Sequence, residues 1–380
     1  MSDGLDEVLD SSDRRGLSEL RAVLEEVLGG PGTTAHLIDQ QRLKSRVYRL
    51  RYETSSRVFS LVLKRLQPSL AQRNQLVVRR WLPALGLGDH GPVLLGVAAE
   101  RSGRCVWHIY EDLGERALDA SGVGRAQVEA AITAIARLHA RSAGHVLLPE
   151  CRLYGGDLGI HFYTANVRDA ICSLESLQRV PDAQLSAEHC ALRDGLLARL
   201  HELLNEQPYR ARLMAEAGGP EVLLHGDLWT SNLLACPDAD GLRVRLIDWD
   251  HVGVGPISYD LSAFLYRFPS RDRGWILELY RDAMGRAGWH LPSGADLNVL
   301  FETAEWARLA NRVIWPAMAV AEGHAAWGFE ELARFAHWFE TMTPVLPHAA
   351  ERRSIGAPTL IEPGQLAPAG SPVLSRRADQ

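Results

Sequence analysis

Hydrophobic residues near the start of the chain are spaced first for a helix and then for two strands. Leucine and valine recur every three or four residues over residues 17–28, and a Gly-Gly-Pro sequence follows. This spacing predicts an amphipathic helix that ends there. Apolar and polar residues then alternate over residues 46–52 and 58–64, on either side of a polar turn. The alternation predicts a hairpin within a small antiparallel sheet.

Helical spacing dominates the longer second part of the chain. Apolar residues recur on one predicted helix face over residues 128–139, over residues 151–220 and again after Asp260. We therefore expect an α+β fold with two lobes. Residues 17–112 would form a small lobe around the antiparallel sheet, and residues 113–350 a larger, mainly helical lobe.

The two ends of the chain have a composition unlike the rest. Residues 1–16 are rich in Asp and Ser, and residues 351–380 are rich in Pro, Ala, Gly, Ser and Arg. Such segments bury little apolar surface, which does not offset the entropy lost on ordering. We expect a disordered N-terminus and a flexible C-terminal tail.

Composition and charge exclude several classes of protein. The 380 residues are 46 % hydrophobic, and 41 Lys and Arg against 47 Asp and Glu give a net charge of −6. This balance provides no basic surface for nucleic acid or an anionic membrane. No apolar run approaches a membrane span, and the acidic N-terminus does not resemble a signal peptide. Five cysteines without a C-x-x-C pair favour free thiols, so we expect a cytoplasmic protein.

The most informative residues follow two short apolar runs, one that ends at residue 224 and one that ends at residue 247. The segment 225–232 reads His-Gly-Asp-Leu-Trp-Thr-Ser-Asn, which places Asn232 five residues after Asp227. A second aspartate, Asp248, ends the next apolar run. The ordered set matches a phosphoryl-transfer site, with one Asp beside the acceptor hydroxyl and an Asn and a second Asp on Mg²⁺.

Each of these residue types suits that chemistry. Mg²⁺ is a hard cation that takes oxygen ligands, and Asp248 offers a carboxylate while Asn232 offers an amide carbonyl. Asp227 would stay off the metal and accept a hydrogen bond from the attacking hydroxyl. His225 is expected to be a structural hydrogen-bonding residue, and Asp260 to hold the loop from within the core.

Together with Ile-Asp-Trp-Asp at residues 247–250 and Gly-Pro before Asp260, these residues resemble the aminoglycoside phosphotransferase family. That family is similar to choline, fructosamine and ecdysteroid kinases. The resemblance implies a bilobal protein-kinase-like fold, with transfer of the γ-phosphoryl group of ATP or GTP to a small-molecule hydroxyl. Gly226, where protein kinases carry Arg, favours the small-molecule branch. The likeness is sharp over residues 223–262 and weaker from about 43 to 340.

The resemblance also assigns residues of the nucleotide site. Lys64 ends an apolar run and would contact the α- and β-phosphates, although a surface lysine at a strand end is the simpler alternative. The phosphate-covering segment 40–46 contains no glycine, and Ser45 would donate a hydroxyl there. Gln75 stands near the position where the family carries a Glu that pairs with the lysine.

The link between the lobes is expected after the apolar strand that ends at Tyr110. The backbone of Glu111 and Leu113 would hydrogen-bond the adenine edge, unless this segment is an ordinary strand-to-loop junction. On the acceptor side, Glu302 and Glu305 would bind ammonium groups of a cationic acceptor. Glu305 would alternatively form an i, i+3 surface pair with its helix neighbour Arg308.

Three functional hypotheses follow from this reading. The first is a Mg²⁺-dependent kinase that phosphorylates an aminoglycoside-like antibiotic or a related metabolite, with Asp250 assisting the metal or the acceptor. The second is a kinase for a choline-like alcohol or a sugar. The third is a catalytically silent binding or regulatory protein on the same fold, suggested by the glycine-free loop and the missing Glu. The partners would be a nucleotide and a hydroxylated small molecule, with no nucleic acid and no membrane.

Overall fold

A helix of 11 residues and a five-stranded antiparallel sheet precede a large helical region. The computed structural model describes residues 5, 14–118, 122, 124–177, 185–239, 241–323, 325 and 327–347, so residues 1–4 and 6–13 of the predicted disordered N-terminus and the whole predicted tail 351–380 lie outside the described residues. The sheet has the order β1-β2-β3-β5-β4. Its strands are β1 (Ala35–Lys44), β2 (Val47–Thr54), β3 (Val58–Leu66), β4 (Leu94–Ala99) and β5 (Val106–Glu111).

The predicted first helix and hairpin are confirmed. Helix α1 (Leu17–Val27) buries Leu20 and Leu24 in the same hydrophobic cluster as Tyr52 of β2 and Trp107 of β5. Strand β1 was not predicted, because nine of its ten residues are exposed or only partly buried and it therefore has no alternating pattern. Among the described strands it is an edge strand, with β2 as its neighbour.

A helical segment after β3 connects the sheet to the large lobe. Helix α2 (Pro68–Leu76) continues through a π-helical turn (Val77–Trp81) into the single turn α3 (Leu82–Ala84). Val77, Trp81 and Leu82 belong to the main hydrophobic core of the large lobe, although they precede residue 113 in the chain. This segment therefore packs with the lobe that follows it.

The large lobe consists mainly of helices, with two short two-stranded sheets beside the loop that starts at His225. Its helices are α4 (Arg125–Ser142), α5 (Leu148–Tyr154), α6 (Ile160–Ser176), α7 (Ala187–Ala217), α8 (Ser258–Leu265), α9 (Ser270–Arg286), α10 (Gly294–Gly323) and α11 (Trp327–Thr341). Its strands are β6 (Val222–Leu224), β7 (Leu233–Asp238), β8 (Gly241–Leu246) and β9 (Gly253–Gly255). Strand β6 pairs with β9 and β7 pairs with β8, both antiparallel.

This arrangement confirms the predicted α+β class with a small sheet-bearing lobe and a larger helical lobe. The boundary at residues 112 and 113 remains a proposal. In the part of the chain that the structure describes, no helix is both long and apolar enough to cross a lipid bilayer. The short strands of the large lobe matter most for function, because they carry the residues singled out in the sequence.

Candidate active site

The loop between β6 and β7 is held from below by a buried carboxylate. Asp260, at the start of α8, accepts hydrogen bonds from the backbone N–H of His225 at 2.7 Å and of Gly226 at 2.9 Å. The side chain of His225 lies 2.9 Å (Nε2) from the carbonyl oxygen of Ile247 and packs against Trp249. These contacts confirm that His225 and Asp260 have structural positions under the loop.

Gly226 allows the chain to turn in a space that no side chain fits. Its φ is +83°, and an added Cβ would lie 1.8 Å from the carbonyl oxygen of His251. Both the left-handed conformation and the close approach of two backbones require glycine at this position. Gly226, which favoured the small-molecule branch in the sequence, is thus also required by the local backbone geometry.

Asp227 and Asn232 face each other across this loop. The Asn232 amide nitrogen donates to the backbone oxygen of Asp227 at 2.9 Å and to its carboxylate at 3.2 Å. Asn232 is buried, and its carbonyl oxygen in the main chain accepts a hydrogen bond at 3.0 Å from the N–H of Ile247, next to Asp248. With its side-chain nitrogen committed to Asp227, the amide oxygen of Asn232 is the atom left to bind a cation.

Lys64 of β3 reaches across the cleft to two aspartates. Its Nζ lies 2.5 Å from Oδ1 of Asp248 and 2.7 Å from Oδ1 of Asp250. Burial acts to raise the pKa of Asp248, but the charge and hydrogen bond of Lys64, together with the charges of Lys44 and His225, outweigh it and the pKa is lowered. Burial acts in the opposite sense on Lys64, yet Asp248 and Asp250 raise the pKa of the lysine. Lys64 and Asp248 are therefore both charged at neutral pH.

The residue that α2 brings to this cluster is Asn74 and not Gln75. The buried Asn74 amide donates to Oδ1 of Asp250 at 2.8 Å and to the backbone oxygen of Leu70 at 2.9 Å. Lys64 contacts the two aspartates instead of Gln75, so the predicted Gln75–Lys64 pairing is wrong. The carboxylate partners of Lys64 therefore come from the segment after β8 and not from the helix after β3.

A cavity of about 200 Å³ opens between the lobes beside Lys64. Glu111 and Leu113 lie in its wall, as the predicted linker requires, and the Glu111 carboxylate is engaged by Arg245 at 3.0 Å. Ser45 is exposed in the two-residue turn between β1 and β2, outside the residues that line the cavity. Besides Leu113, the apolar residues that line this cavity are Leu43, Val47, Val62, Val78, Pro92, Tyr110, Leu234, Ile247 and Trp249.

The acidic residues expected on the acceptor side are already paired. Glu305 accepts a hydrogen bond from Arg308, which is the i, i+3 pair considered as the alternative. Glu302 lies 4.0 Å from Arg210 and does not line the pocket that contains Glu305. Asp250 accepts hydrogen bonds from Lys64 and Asn74. These side chains are therefore not arranged as free acceptors for ammonium groups.

Comparison with known proteins agrees with the architecture. The model of the phosphotransferase enzyme family matches residues 40–297, which is more than half of the chain. A search among curated proteins gives no match. Among solved structures, a putative aminoglycoside phosphotransferase from Ralstonia eutropha aligns with TM-score 0.54 and 13 % identity, covering 85 % of this chain and 96 % of that one.

Two further solved structures have the same bilobal fold. Ethanolamine kinase from Plasmodium vivax aligns with TM-score 0.53 and 11 % identity, covering 84 % of this chain and 86 % of that one. The GDP and kanamycin complex of APH(2")-IIia aligns with TM-score 0.52 and 11 % identity, covering 84 % and 98 %. At such identities the likeness shows the kinase-like fold alone. Because the family model spans most of both lobes, this chain belongs to the phosphotransferase enzyme family.

Proposed function

We propose that this protein is a small-molecule kinase that transfers the γ-phosphoryl group of ATP or GTP to a hydroxyl group. The observation that supports this most directly is the linked set of four side chains: Lys64 pairs with Asp248 in the wall of the cavity between the lobes, and Asn232 holds the Asp227 carboxylate while its backbone oxygen accepts a hydrogen bond from Ile247, next to Asp248. Phosphoryl transfer depends on positioning and charge stabilisation, and a rigid set of such groups beside a nucleotide-sized cleft supplies both.

The residues present fit a bound Mg²⁺. The Asp248 carboxylate and the Asn232 amide oxygen are hard oxygen donors, and Mg²⁺ is commonly held by one or two carboxylates together with substrate phosphates. When bound, the ion neutralises charge on the transferred group. Asp227 is held by Asn232 so that its carboxylate orients the acceptor hydroxyl and accepts the proton. Lys64, whose ammonium lies among the two aspartates, binds the nucleotide phosphates.

The silent binding protein is the less well supported alternative. It was suggested by the missing Glu and by a glycine-free phosphate loop. The first reason weakens because Lys64 has two carboxylate partners, Asp248 and Asp250, and the second is offset by the tight turn in which Arg46 adopts φ +64° without glycine. A protein that only binds its ligand also has no need for a hydrogen-bonded Asp227–Asn232 pair.

Asp227→Asn tests the proposed function. Removing a positioned general base typically lowers turnover by a factor of about 10²–10⁴. We expect a loss in that range for transfer of labelled γ-phosphate from Mg-ATP or Mg-GTP to a panel of hydroxylated acceptors, with nucleotide affinity within about twofold of wild type. The panel should contain aminoglycosides, choline-like alcohols, sugars, hydroxy acids and sugar phosphates.

A matched control is Asp282→Asn on α9, where an exposed aspartate loses the same charge far from the loop. It should leave turnover unchanged. Full turnover in Asp227→Asn would show that this carboxylate is not the general base. Absence of Mg-dependent nucleotide binding in the wild-type protein would contradict the kinase proposal as a whole.

A further inference from the structure

A second cavity lies next to the catalytic loop, and its lining does not include Lys64. It has a volume of about 320 Å³ and opens between α8, α10 and α11. Trp229, two residues after Asp227, forms part of its wall, which places it where an acceptor would approach that carboxylate. Its lining consists of Trp229, Ala263, Tyr266, Arg267, Arg273, Glu305, Arg308, Leu309, Arg312, Trp338, Thr341, Met342 and Thr343. We refer to it as the arginine pocket.

The charges that line the arginine pocket are predominantly positive. Four arginines and a single carboxylate, Glu305, face it. That carboxylate is already hydrogen-bonded by Arg308, which also donates to Ser262 Oγ at 3.0 Å and to the Tyr259 backbone oxygen. Arg273 donates to the Phe268 backbone oxygen at 2.9 Å. The single carboxylate of the pocket, Glu305, is therefore already paired with Arg308.

Two of the arginines, Arg267 and Arg312, flank the same indole. Their guanidinium carbons lie 4.1 Å and 5.9 Å from the Trp229 ring centroid. Among the described residues, neither guanidinium forms an ion pair with a carboxylate. An Arg fork that is fixed against an aromatic ring and lacks a carboxylate partner is suited to bind the oxygens of an anion in two parallel hydrogen bonds.

The electrostatics of Arg267 support the same reading. Burial lowers the pKa of Arg267, the charges of Arg312 and Arg308 add to this effect, and Glu305 and Asp227 oppose it only in part. The net direction is downward, so the positive charge at Arg267 is unfavourable in the pocket without a ligand. A bound anion would relieve the repulsion, whereas an ammonium group would increase it.

We propose that the acceptor of this kinase is a hydroxylated small molecule with an anionic group, a carboxylate or a phosphate, that Arg267 and Arg312 bind beside Trp229. The inference rests on the proposed function for the role of the hydroxyl. In the reaction the hydroxyl oxygen forms a bond to the γ-phosphorus, the bond from that phosphorus to the β–γ bridging oxygen breaks, and the hydroxyl proton passes to Asp227. The nucleoside diphosphate leaves. This acceptor class is opposite in charge to the aminoglycoside- and choline-like molecules expected from the sequence.

A matched series of ligands tests the charge preference without knowledge of the natural acceptor. Glucose 6-phosphate, gluconate, glucose and protonated glucosamine carry a phosphate, a carboxylate, no charge and a positive charge on closely similar skeletons. Their binding to the full-length protein is measured by calorimetry at fixed ionic strength, with Mg-ADP present so that phosphate sites in the nucleotide cleft are filled. We expect at least one anionic member to bind about 10- to 100-fold more tightly than glucose, and glucosamine to bind no better than glucose.

The variants Arg267→Gln and Arg312→Gln assign the preference to the pocket. Each should remove most of the advantage of the anionic ligand, while Arg286→Gln, at an exposed arginine of α9, should retain it. Comparison of glucose 6-phosphate with gluconate shows whether phosphate or carboxylate is the preferred group. Thermal unfolding of the variants checks that each remains folded.

The outcomes separate this inference from the proposed function. Equal or tighter binding of glucose or glucosamine, no saturable binding of either anionic ligand, or an anion preference that survives both arginine variants would overturn the anionic acceptor. Binding of Mg-ADP is scored on its own and reports on the kinase proposal alone. Transfer of phosphate to a cationic acceptor only would leave the kinase proposal intact and overturn the inference about charge.

Discussion

At the scale of single residues, the buried charge of Asp260 has a measurable consequence. Burial acts to raise the pKa of its carboxyl group, but the hydrogen bond and charge of His139, the charge of His225 and the Gly226 N–H outweigh it, and the pKa is lowered. The folded pKa is thus below the value of about 3.9 for an unfolded chain. The contribution of Asp260 to stability is fully present above that pH and is lost as the pH falls towards the folded pKa.

We therefore predict that Asp260→Asn destabilises the protein by about 1–3 kcal/mol at neutral pH, because the Asn side chain has a single acceptor oxygen for two backbone N–H donors. The difference between variant and wild type should shrink as the pH is lowered from 6 to about 3. Urea unfolding at several pH values measures both effects, and the exposed Asp282→Asn serves as the control. A difference that stays constant over this range would contradict the ionised state of Asp260.

At the scale of the element, the π-helical turn explains why the sequence indicated the wrong residue of α2. Gln75 stands six residues before Trp81, near the position where the family carries its Glu. The turn Val77–Trp81 closes with i→i+5 geometry and inserts one extra residue into that count. The residue that faces the cluster is therefore Asn74, seven before Trp81. Nothing in the local pattern announces the insertion, because it depends on packing against the large lobe.

Asn74→Leu and Gln75→Leu form a pair that tests this correction. The first removes the hydrogen bond to the Asp250 carboxylate, and we expect the KM for the nucleotide to rise about tenfold because hydrogen bonds to charged groups are worth about 1.5–3 kcal/mol. The second should leave the KM nearly unchanged. Steady-state kinetics at saturating acceptor decide the matter. A larger effect at Gln75 than at Asn74 would restore the original assignment.

The catalytic loop shows the opposite case, in which the sequence was sufficient. Asp227 and Asn232 lie five residues apart in one short loop, so their hydrogen bond follows from local geometry that the sequence spacing records. The arginine pocket could not be foreseen, because Arg267 and Arg312 come from different helices and meet at Trp229 only in the folded chain. Strand β1 was missed for a third reason, because an edge strand without a buried face has no alternation of apolar and polar residues.

At the scale of the whole molecule, the segment from α2 to α3 joins the lobes. Arg73 donates to the backbone oxygens of Asp250 at 2.5 Å and Tyr154 at 3.0 Å. Glu150 of α5 accepts hydrogen bonds at 2.7 Å from Nε of Arg80, and at 3.0 Å from the indole of Trp81. Because Trp81 is also buried in the core of the large lobe, the sheet-bearing lobe is fastened to the larger one through this segment.

Trp81→Ala should destabilise the chain by about 3–5 kcal/mol, the usual cost of a large cavity in a core. The same change at Trp315, whose side chain is 67 % exposed, should cost about 0.5 kcal/mol or less. We expect one unfolding transition that shifts as a whole in scanning calorimetry. A variant in which only part of the heat absorption moves to lower temperature would show that the lobes unfold separately.

The general architecture was within reach of the sequence, whereas the detailed site was not. The α+β class and the family were predicted from alternation, helical spacing and the ordered motif from His225 to Asp260. The charge of the acceptor side was not, because the sequence left open whether Glu305 binds an ammonium group or pairs with Arg308. The fold shows the pair with Arg308 and places Glu302 towards Arg210.

The backbone of Asp248 limits which inactive variants of this protein are informative. Its φ of +66° is a left-handed conformation that costs most L-residues about 1–2 kcal/mol and that asparagine tolerates. Alanine at this position would therefore combine backbone strain with the loss of a carboxylate. A screen that selects for the amount of folded protein would discard this variant before its activity was measured. Asparagine separates the two effects. For trapping a ligand in a stable but inactive protein, Asp248→Asn is consequently the replacement to use.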